Sequence, residues 1–362
     1  MENLRILIIG EMPPPDGGVT VLLKILVEEL SCFPEVKTII VDITSPRHRK
    51  SFFGRIRILE PVIWAYSTIS KIVYEIRSVD IVTLHVVTPK LYIAGLITLF
   101  FSRLFKKPLI IRKFAGTNYN DYRPPKKYLT RWVLKRCDLY LTETKALMKI
   151  AENDEIRHQR WFPNHRPMPV KNVCNIKSRP CCKFVYLGAV RLDKGIRELI
   201  KAAEKFKDEA SVDIYGPFFD GLAEKDFSGL SNVQYRGVLQ PKEVYKTLCS
   251  YDALILPTYH EGEGHPGVIL EAHSAGLPVI TTNWRSVPEI VTPDCGILVE
   301  PRDFKGLYRA MKQLCDDPNL FVNLQKGARE RASQFSSNYW AAKFVEYCRS
   351  VVPDDKLVNI YE

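Results

Sequence analysis

Residues 254–283, LILPTYHEGEGHPGVILEAHSAGLPVITTN, constrain the fold more than any other stretch of this chain. Leu254–Thr258 is a short apolar run of the kind buried in a parallel sheet. A loop with three glycines, Gly262, Gly264 and Gly267, then carries Glu261 and Glu263. From Val268 the pattern turns helical, Gly276 is placed to stop the helix in a left-handed cap, and Pro278 follows close behind. Val279–Thr282 returns as a strand. Strand, loop, helix and parallel strand in this order put the helix amino end at the carboxyl side of the sheet. Backbone N–H groups and the positive end of the helix dipole collect there, which makes a seat for an anion. Glu263 in the loop and Glu271 on the helix stand eight residues apart at that end, where open α/β sheets bind ligands.

The same alternation runs through the whole chain, so the class is α/β with doubly wound parallel sheets. Strands are expected at Arg5–Gly10, Thr38–Thr44, Asp80–His85, Leu109–Phe114 and Leu139–Thr144, then at Lys183–Gly188, Val212–Tyr215 and Val233–Val238. At 362 residues two domains are expected. We place the first at 1–168, a proline-rich linker at 169–180, the second at 181–337, and a last helix in 338–362. The longest largely apolar run, Leu91–Phe101, is too short to cross a bilayer, and the first residues lead straight into a strand with no signal-peptide pattern. Nine scattered cysteines without metal-ligand spacing are expected to be reduced thiols in a cytosol. No metal is expected.

Charge divides unevenly. Residues 1–170 carry 27 Lys and Arg against 16 Asp and Glu, whereas residues 171–362 carry 25 of each. The excess is densest over residues 101–150, which include Lys106, Lys107, Arg112 and Lys113. Such a field implies a negatively charged partner. The run Arg47, Arg49, Lys50, Arg55, Arg57 is interleaved with Phe52 and Phe53. It fits a solvated face, an interfacial segment on anionic lipid, or a nucleic-acid patch, although no nucleic-acid motif supports the last.

The central stretch resembles the donor-site signature of glycosyltransferase family 4, whose members are retaining nucleotide-sugar glycosyltransferases of the GT-B fold. The resemblance is carried by Glu263-Gly-His265-Pro266-Gly267-Val268-Ile-Leu-Glu271-Ala272 and by Ala275-Gly276-Leu277-Pro278-Val279-Ile280. It implies two Rossmann-like domains facing across a cleft. It further implies that Glu263 binds hydroxyls of the transferred sugar and Glu271 those of the ribose, since a carboxylate can accept from both members of a diol. His265, Pro266, Gly267 and Val268 would then line the diphosphate.

Other matches are local. Gly17-Gly18 stands at a strand-to-helix turn, where family members bring backbone close to the donor diphosphate. Lys194 matches the family lysine on that diphosphate, but the family arginine position holds Ala189, with Arg191 two residues on. Gly216 ends a strand, and Val238 ends the stretch Val233–Val238, which resembles the family's strand before the base-binding turn. His85, at a strand end, matches a frequent family histidine. A second departure is Ala115, where many members have a histidine beside the reacting centre; His85, Thr117 or Asn118 are the candidates to replace it.

The resulting expectation is a retaining transferase. It would move a sugar from a nucleoside-diphosphate sugar to a saccharide or lipid-pyrophosphate-linked acceptor in cell-surface polysaccharide assembly. It would be cytoplasmic and peripheral on the inner membrane face, with Glu263, Lys194 and His85 at the reaction. The alternatives are a GT-B sugar-nucleotide epimerase or hydrolase, and a basic nucleic-acid-binding protein.

Overall fold

The computed structural model describes residues 3–14, 17–44, 60–169, 174, 176–177, 182–206, 209–227 and 229–353. The basic run with Arg47, Arg49, Lys50, Arg55 and Arg57 lies outside the described residues. The chain divides into two compact units, residues 1–163 with 337–362, and residues 164–336.

The first unit is built on six strands: β1 (Leu4–Gly10), β2 (Val36–Asp42), β3 (Ile81–Val87), β4 (Leu109–Phe114), β5 (Leu139–Thr142) and β6 (Gln159–Trp161). Their order is β2-β1-β3-β4-β5-β6 with every pairing parallel. Alternation along β1 feeds two cores. Leu4, Ile6 and Ile8 face one, Leu7 and Ile9 the other, as a period of two dictates. Helix α1 (Gly18–Leu30) buries Leu22, Leu23, Leu26 and Leu30 on the first of these faces. Against it lies the final helix, Ser337–Arg349, with Trp340, Phe344 and Cys348 inward. Trp340 meets Trp161 and Phe162 edge to face, at 5.3 and 5.7 Å between centroids. Helices α2 (Glu60–Glu75), α3 (Thr88–Leu104), α4 (Lys126–Leu134) and α5 (Lys145–Asn153) complete the unit.

The second unit has strands β7 (Lys183–Leu187), β8 (Ser211–Tyr215), β9 (Val233–Tyr235), β10 (Ala253–Leu256), β11 (Val279–Thr282) and β12 (Gly296–Val299). The order is β12-β11-β10-β7-β8-β9, again all parallel. From β7 the chain winds outward through β8 and β9. It then returns to the other side of β7 with β10 and winds the opposite way. The loops after β7 and β10 therefore leave adjacent strands in opposite directions, which opens a crevice at their carboxyl ends. Helices α6 (Ile196–Ala203), α7 (Pro241–Leu248), α8 (Gly267–Ser274), α9 (Phe304–Asp316) and α10 (Pro318–Ser333) cover this sheet. Two six-stranded parallel sheets with covering helices make the α/β, two-domain GT-B fold.

Two expectations need correction. Arg112 and Lys113, counted with the surface charge, are buried at 1% and 0% exposure. They lie on a strand in the middle of the sheet, covered on both faces. The Arg112 guanidinium is sandwiched by Phe114 and Phe162, 4.6 and 4.3 Å from their ring centres. The thiols are not all reduced: Cys174 and Cys249 form a disulfide with Cα atoms 5.2 Å apart. Cys249 is the cap residue at the carboxyl end of α7, and Cys174 lies against it. Cys32, Cys137, Cys295, Cys315 and Cys348 are free thiols.

Candidate active site

The loops after β7 and β10 meet in one ion pair. Lys194 Nζ donates to Glu263 Oε2 at 2.5 Å, and the Thr258 hydroxyl donates to the same oxygen at 2.6 Å. The side chains are 17% and 8% exposed, so the pair is largely withdrawn from water. Gly195 makes this approach possible. Its φ is +76°, and a Cβ there would stand 2.1 Å from the Pro257 carbonyl oxygen. The two loops are also stitched by the Tyr259 N–H, which donates to the Asp193 carbonyl at 2.8 Å.

Asp193 anchors the rest of the β7 loop. Its Oδ2 takes His260 Nδ1 at 2.8 Å and Arg191 Nη2 at 2.9 Å. Burial pushes its carboxyl up, but the His260 hydrogen bond and the charges of His260, Arg191 and Lys194 outweigh that and leave it lowered. Arg191 also lies 3.8 Å from Asp220. It is thus held by carboxylates on two sides, unlike a cation waiting for a phosphate.

Helix α8 starts at Gly267, with Pro266 as its cap residue and no side-chain acceptor for its first amides. No acidic residue occupies its first turn, and Val268 follows within that turn. Glu271 lies one turn on. Its Oε1 accepts from Arg166 Nε at 2.6 Å. His265 is buried just before the helix, its Nε2 3.1 Å from Glu289 Oε2 and its carbonyl accepting from Asn164 Nδ2 at 2.7 Å. It shapes the loop and does not offer its ring to solvent.

Glycines at the ends of β7, β8 and β9 form a shelf beside this site. Gly188 N–H donates to the Tyr215 carbonyl at 3.1 Å, and Gly216 N–H to the Gly237 carbonyl at 2.9 Å. A Cβ on Gly216 would fall 1.8 Å from the Gly188 carbonyl oxygen. Val238, exposed, borders the shelf just after Gly237.

The candidates in the first unit are placed differently. Gly17 caps α1, its N–H donating to the Thr20 hydroxyl at 3.0 Å. A Cβ on Gly18 would meet nothing within 4 Å. His85 is fully buried between Phe114 and Phe344, Nε2 3.1 Å from Thr83 Oγ1. Desolvation, with the Arg112 charge, drives its pKa well below the usual range. Ala115 takes the left-handed φ of +69°. Its N–H donates to Glu143 Oε2 at 2.9 Å and its carbonyl accepts from Lys113 Nζ at 2.8 Å. Burial lowers the Lys113 amine to about 7, against the opposing pull of Glu143. Asn118 caps the short turn Tyr119–Asp121 through its side chain. Among the described residues no three His, Cys, Asp or Glu side chains are grouped to hold a metal.

Sequence reasoning missed Arg166, Thr258, Asp193 and His260. Thr258 and His260 stand in the quoted stretch, but nothing in their spacing marks a partner. Arg166 stands at the end of the segment assigned to the first domain, with no pattern that marks a partner.

Residues 181–317 match the family model described as glycosyl transferases group 1. The chain is 25% identical over 222 residues to the N,N'-diacetylbacillosaminyl-diphospho-undecaprenol alpha-1,3-N-acetylgalactosaminyltransferase of Campylobacter jejuni, covering 59% of this chain and 57% of that one. It is 29% identical over 157 residues to the sulfoquinovosyl transferase SQD2 of Arabidopsis thaliana, covering 42% and 30%. These matches span less than two thirds of the relatives' own lengths. The Anabaena protein HepE, solved in complex with UDP, superposes with a TM-score of 0.74 at 14% identity, over 96% of this chain and all of that one.

Proposed function

From the match of residues 181–317 to the group 1 glycosyltransferases we propose that this chain is a retaining enzyme transferring a sugar from a nucleoside-diphosphate sugar to a saccharide or lipid-linked saccharide. The observation that carries the proposal is the Lys194–Glu263 pair at the crevice where the second sheet reverses its winding. A lysine and a carboxylate at one point can serve the two ends of a sugar phosphate, the cation on phosphate and the acid on hydroxyls.

The diphosphate is seated against the first amides of α8, near Lys194, with Pro266, Gly267 and Val268 alongside. Glu263 grips the transferred sugar and Glu271 the ribose. As the glycosidic bond breaks, negative charge grows on the leaving diphosphate, and Lys194 and the helix amides stabilise it where it appears. The acceptor hydroxyl attacks from the leaving-group face and gives its proton to the departing phosphate oxygen. Configuration is retained, no enzyme nucleophile is required, and no metal is called for. Arg191 joins the diphosphate only by leaving Asp193 or Asp220. Gly17 and Gly18 lack a steric reason to be glycine, which fits a role in close backbone approach to a ligand.

A lipid-linked acceptor at an anionic membrane surface is supported by exposed apolar side chains on three helices of the first unit. Ile93, Phe100 and Leu104 share one face of α3, Tyr66 and Tyr74 lie on α2, and Tyr128 and Trp132 on α4. The Campylobacter relative's name describes a diphospho-undecaprenol acceptor.

The test is incubation with a panel of UDP-, GDP- and ADP-sugars, with and without undecaprenyl-diphosphate saccharides. Nucleotide release that needs the acceptor, a product with the donor's anomeric configuration by NMR, and loss of both in Glu263→Ala support the reading. Release without acceptor points to a hydrolase, and an inverted product removes the retaining mechanism.

A further inference from the structure

Arg166 is a buried cation that the reaction as described does not use. Its side chain is 9% exposed and lies across the amino end of α8. Nε donates to Glu271 Oε1 at 2.6 Å, and Nη1 to the His165 carbonyl at 3.0 Å. A Cβ on Gly267 would stand 1.7 Å from Nη2, so glycine there is what gives the guanidinium room. Its backbone is pinned as well, the N–H donating to the Phe335 carbonyl at 3.0 Å. A long side chain with four rotatable bonds is thus fixed at its root and at its head.

The consequence falls on Glu271. A free glutamate on a helix surface samples several rotamers and must give them up to bind a diol. Here one oxygen is already clamped, and Oε2 has no hydrogen bond among the described residues. We propose that Arg166 is a positioning residue for the donor: by holding Oε1 of Glu271 it keeps Oε2 turned toward the ribose hydroxyls, and so sets how strongly the site prefers a ribonucleotide. This rests on the reading that Glu271 receives the ribose. Pre-organisation of this kind adds to affinity by removing an ordering cost, and a planar fork does it better than an ammonium.

The experiment is isothermal titration of the full chain with UDP, GDP and ADP. For whichever binds, its 2′,3′-dideoxy analogue is titrated too. In the wild type the ribonucleotide binds about tenfold tighter than the dideoxy form, the worth of one charge-assisted hydrogen bond. Arg166→Met weakens the ribonucleotide by about that factor and leaves the dideoxy form unchanged, so the preference disappears. Arg166→Lys, which keeps the charge and guards against a Met variant that fails to fold, falls between. Arg166→Met adds nothing to Glu271→Gln. Equal weakening of both nucleotides by Arg166→Met, or by Arg166→Lys where the Met chain does not fold, makes Arg166 a structural strut and overturns the inference. If Glu271→Gln erases the preference while the Arg166 variants keep it, the ribose reading stands and this one falls. If Glu271→Gln keeps the preference, or no nucleotide binds the wild type, the ribose reading itself fails.

Discussion

Replacing Lys194 by methionine strands a carboxylate. Glu263 is 8% exposed and loses its one cation among the described residues, keeping the Thr258 hydroxyl at 2.6 Å. Breaking one side of a buried pair costs about 3–5 kcal/mol, and the surviving hydroxyl puts Lys194→Met near the lower end, about 3 kcal/mol. Glu263→Gln is milder. Lys194, at 17% exposure, can turn partly to water, so about 1 kcal/mol is lost. With both replaced no charge is left buried, and the cost falls to about 1–2 kcal/mol. The cycle therefore closes with a coupling of about 2–3 kcal/mol, against the additivity expected of independent sites. A two-unit chain need not unfold in one step, so the probe must report on the second unit alone. Trp284 is its only tryptophan, and its indole N–H donates to the His260 carbonyl at 2.9 Å. Urea titrations of the 5-fluorotryptophan chain, read at the Trp284 fluorine resonance, give each free energy. Single costs that add to the double within about 0.5 kcal/mol would refute the reasoning, because the two loops would then be held by something other than this pair.

Four further outcomes are expected. His273 is buried on α8 and desolvation lowers its pKa from 6.5 to about 4. The unfolded chain takes up this proton first, so stability present above pH 6.5 is lost as pH falls toward 4. The wild type should lose about 3 kcal/mol more than His273→Gln over that window in urea melts, and equal losses would contradict it. Gly216→Ala places a methyl 1.8 Å from the Gly188 carbonyl at a φ of +139°, and thermal unfolding should show a loss of more than about 2 kcal/mol. Gly18→Ala meets no atom within 4 Å, so it should keep or raise the melting temperature while lowering kcat/KM; unchanged activity would remove the first unit's glycine turn from the donor site. Transfer should also survive EDTA, whereas a loss restored by Mg2+ or Mn2+ would require a metal in the mechanism.

Much of the fold was legible because its signals are local. β4 and β11 run over the residues their apolar patterns mark, Leu109–Phe114 and Val279–Thr282. Gly276 takes the left-handed φ of +73° that its place behind α8 implies. Where elements were missed the local signal was weak. Helix α5, KALMKIAEN, is only nine residues long, and β12 is four residues that open on a glycine. The candidate site was legible as positions but not as partners. Glu263 and Lys194 are 69 residues apart, Glu271 and Arg166 are 105 apart, and only the packed sheet brings each pair together. Burial of charge misled in the same way. Arg112 and Lys113 count as surface by composition, while the strand between them and Leu109 puts both inside. Departures from the family pattern were visible, but what stands around them was not. At Ala115 the structure shows a backbone clamped by Lys113 and Glu143.

The central claim is that a nucleoside diphosphate sits in the second unit between Lys194 and Glu271. Thermal shift of the full chain with a panel of UDP-, GDP- and ADP-sugars tests it most directly, because a bound donor must stabilise the folded state by mass action. One donor class should raise the melting temperature of the wild type, Lys194→Ala should abolish that rise, and Glu271→Gln should shrink it. No shift with any donor, or a shift that persists in both variants, would contradict the account.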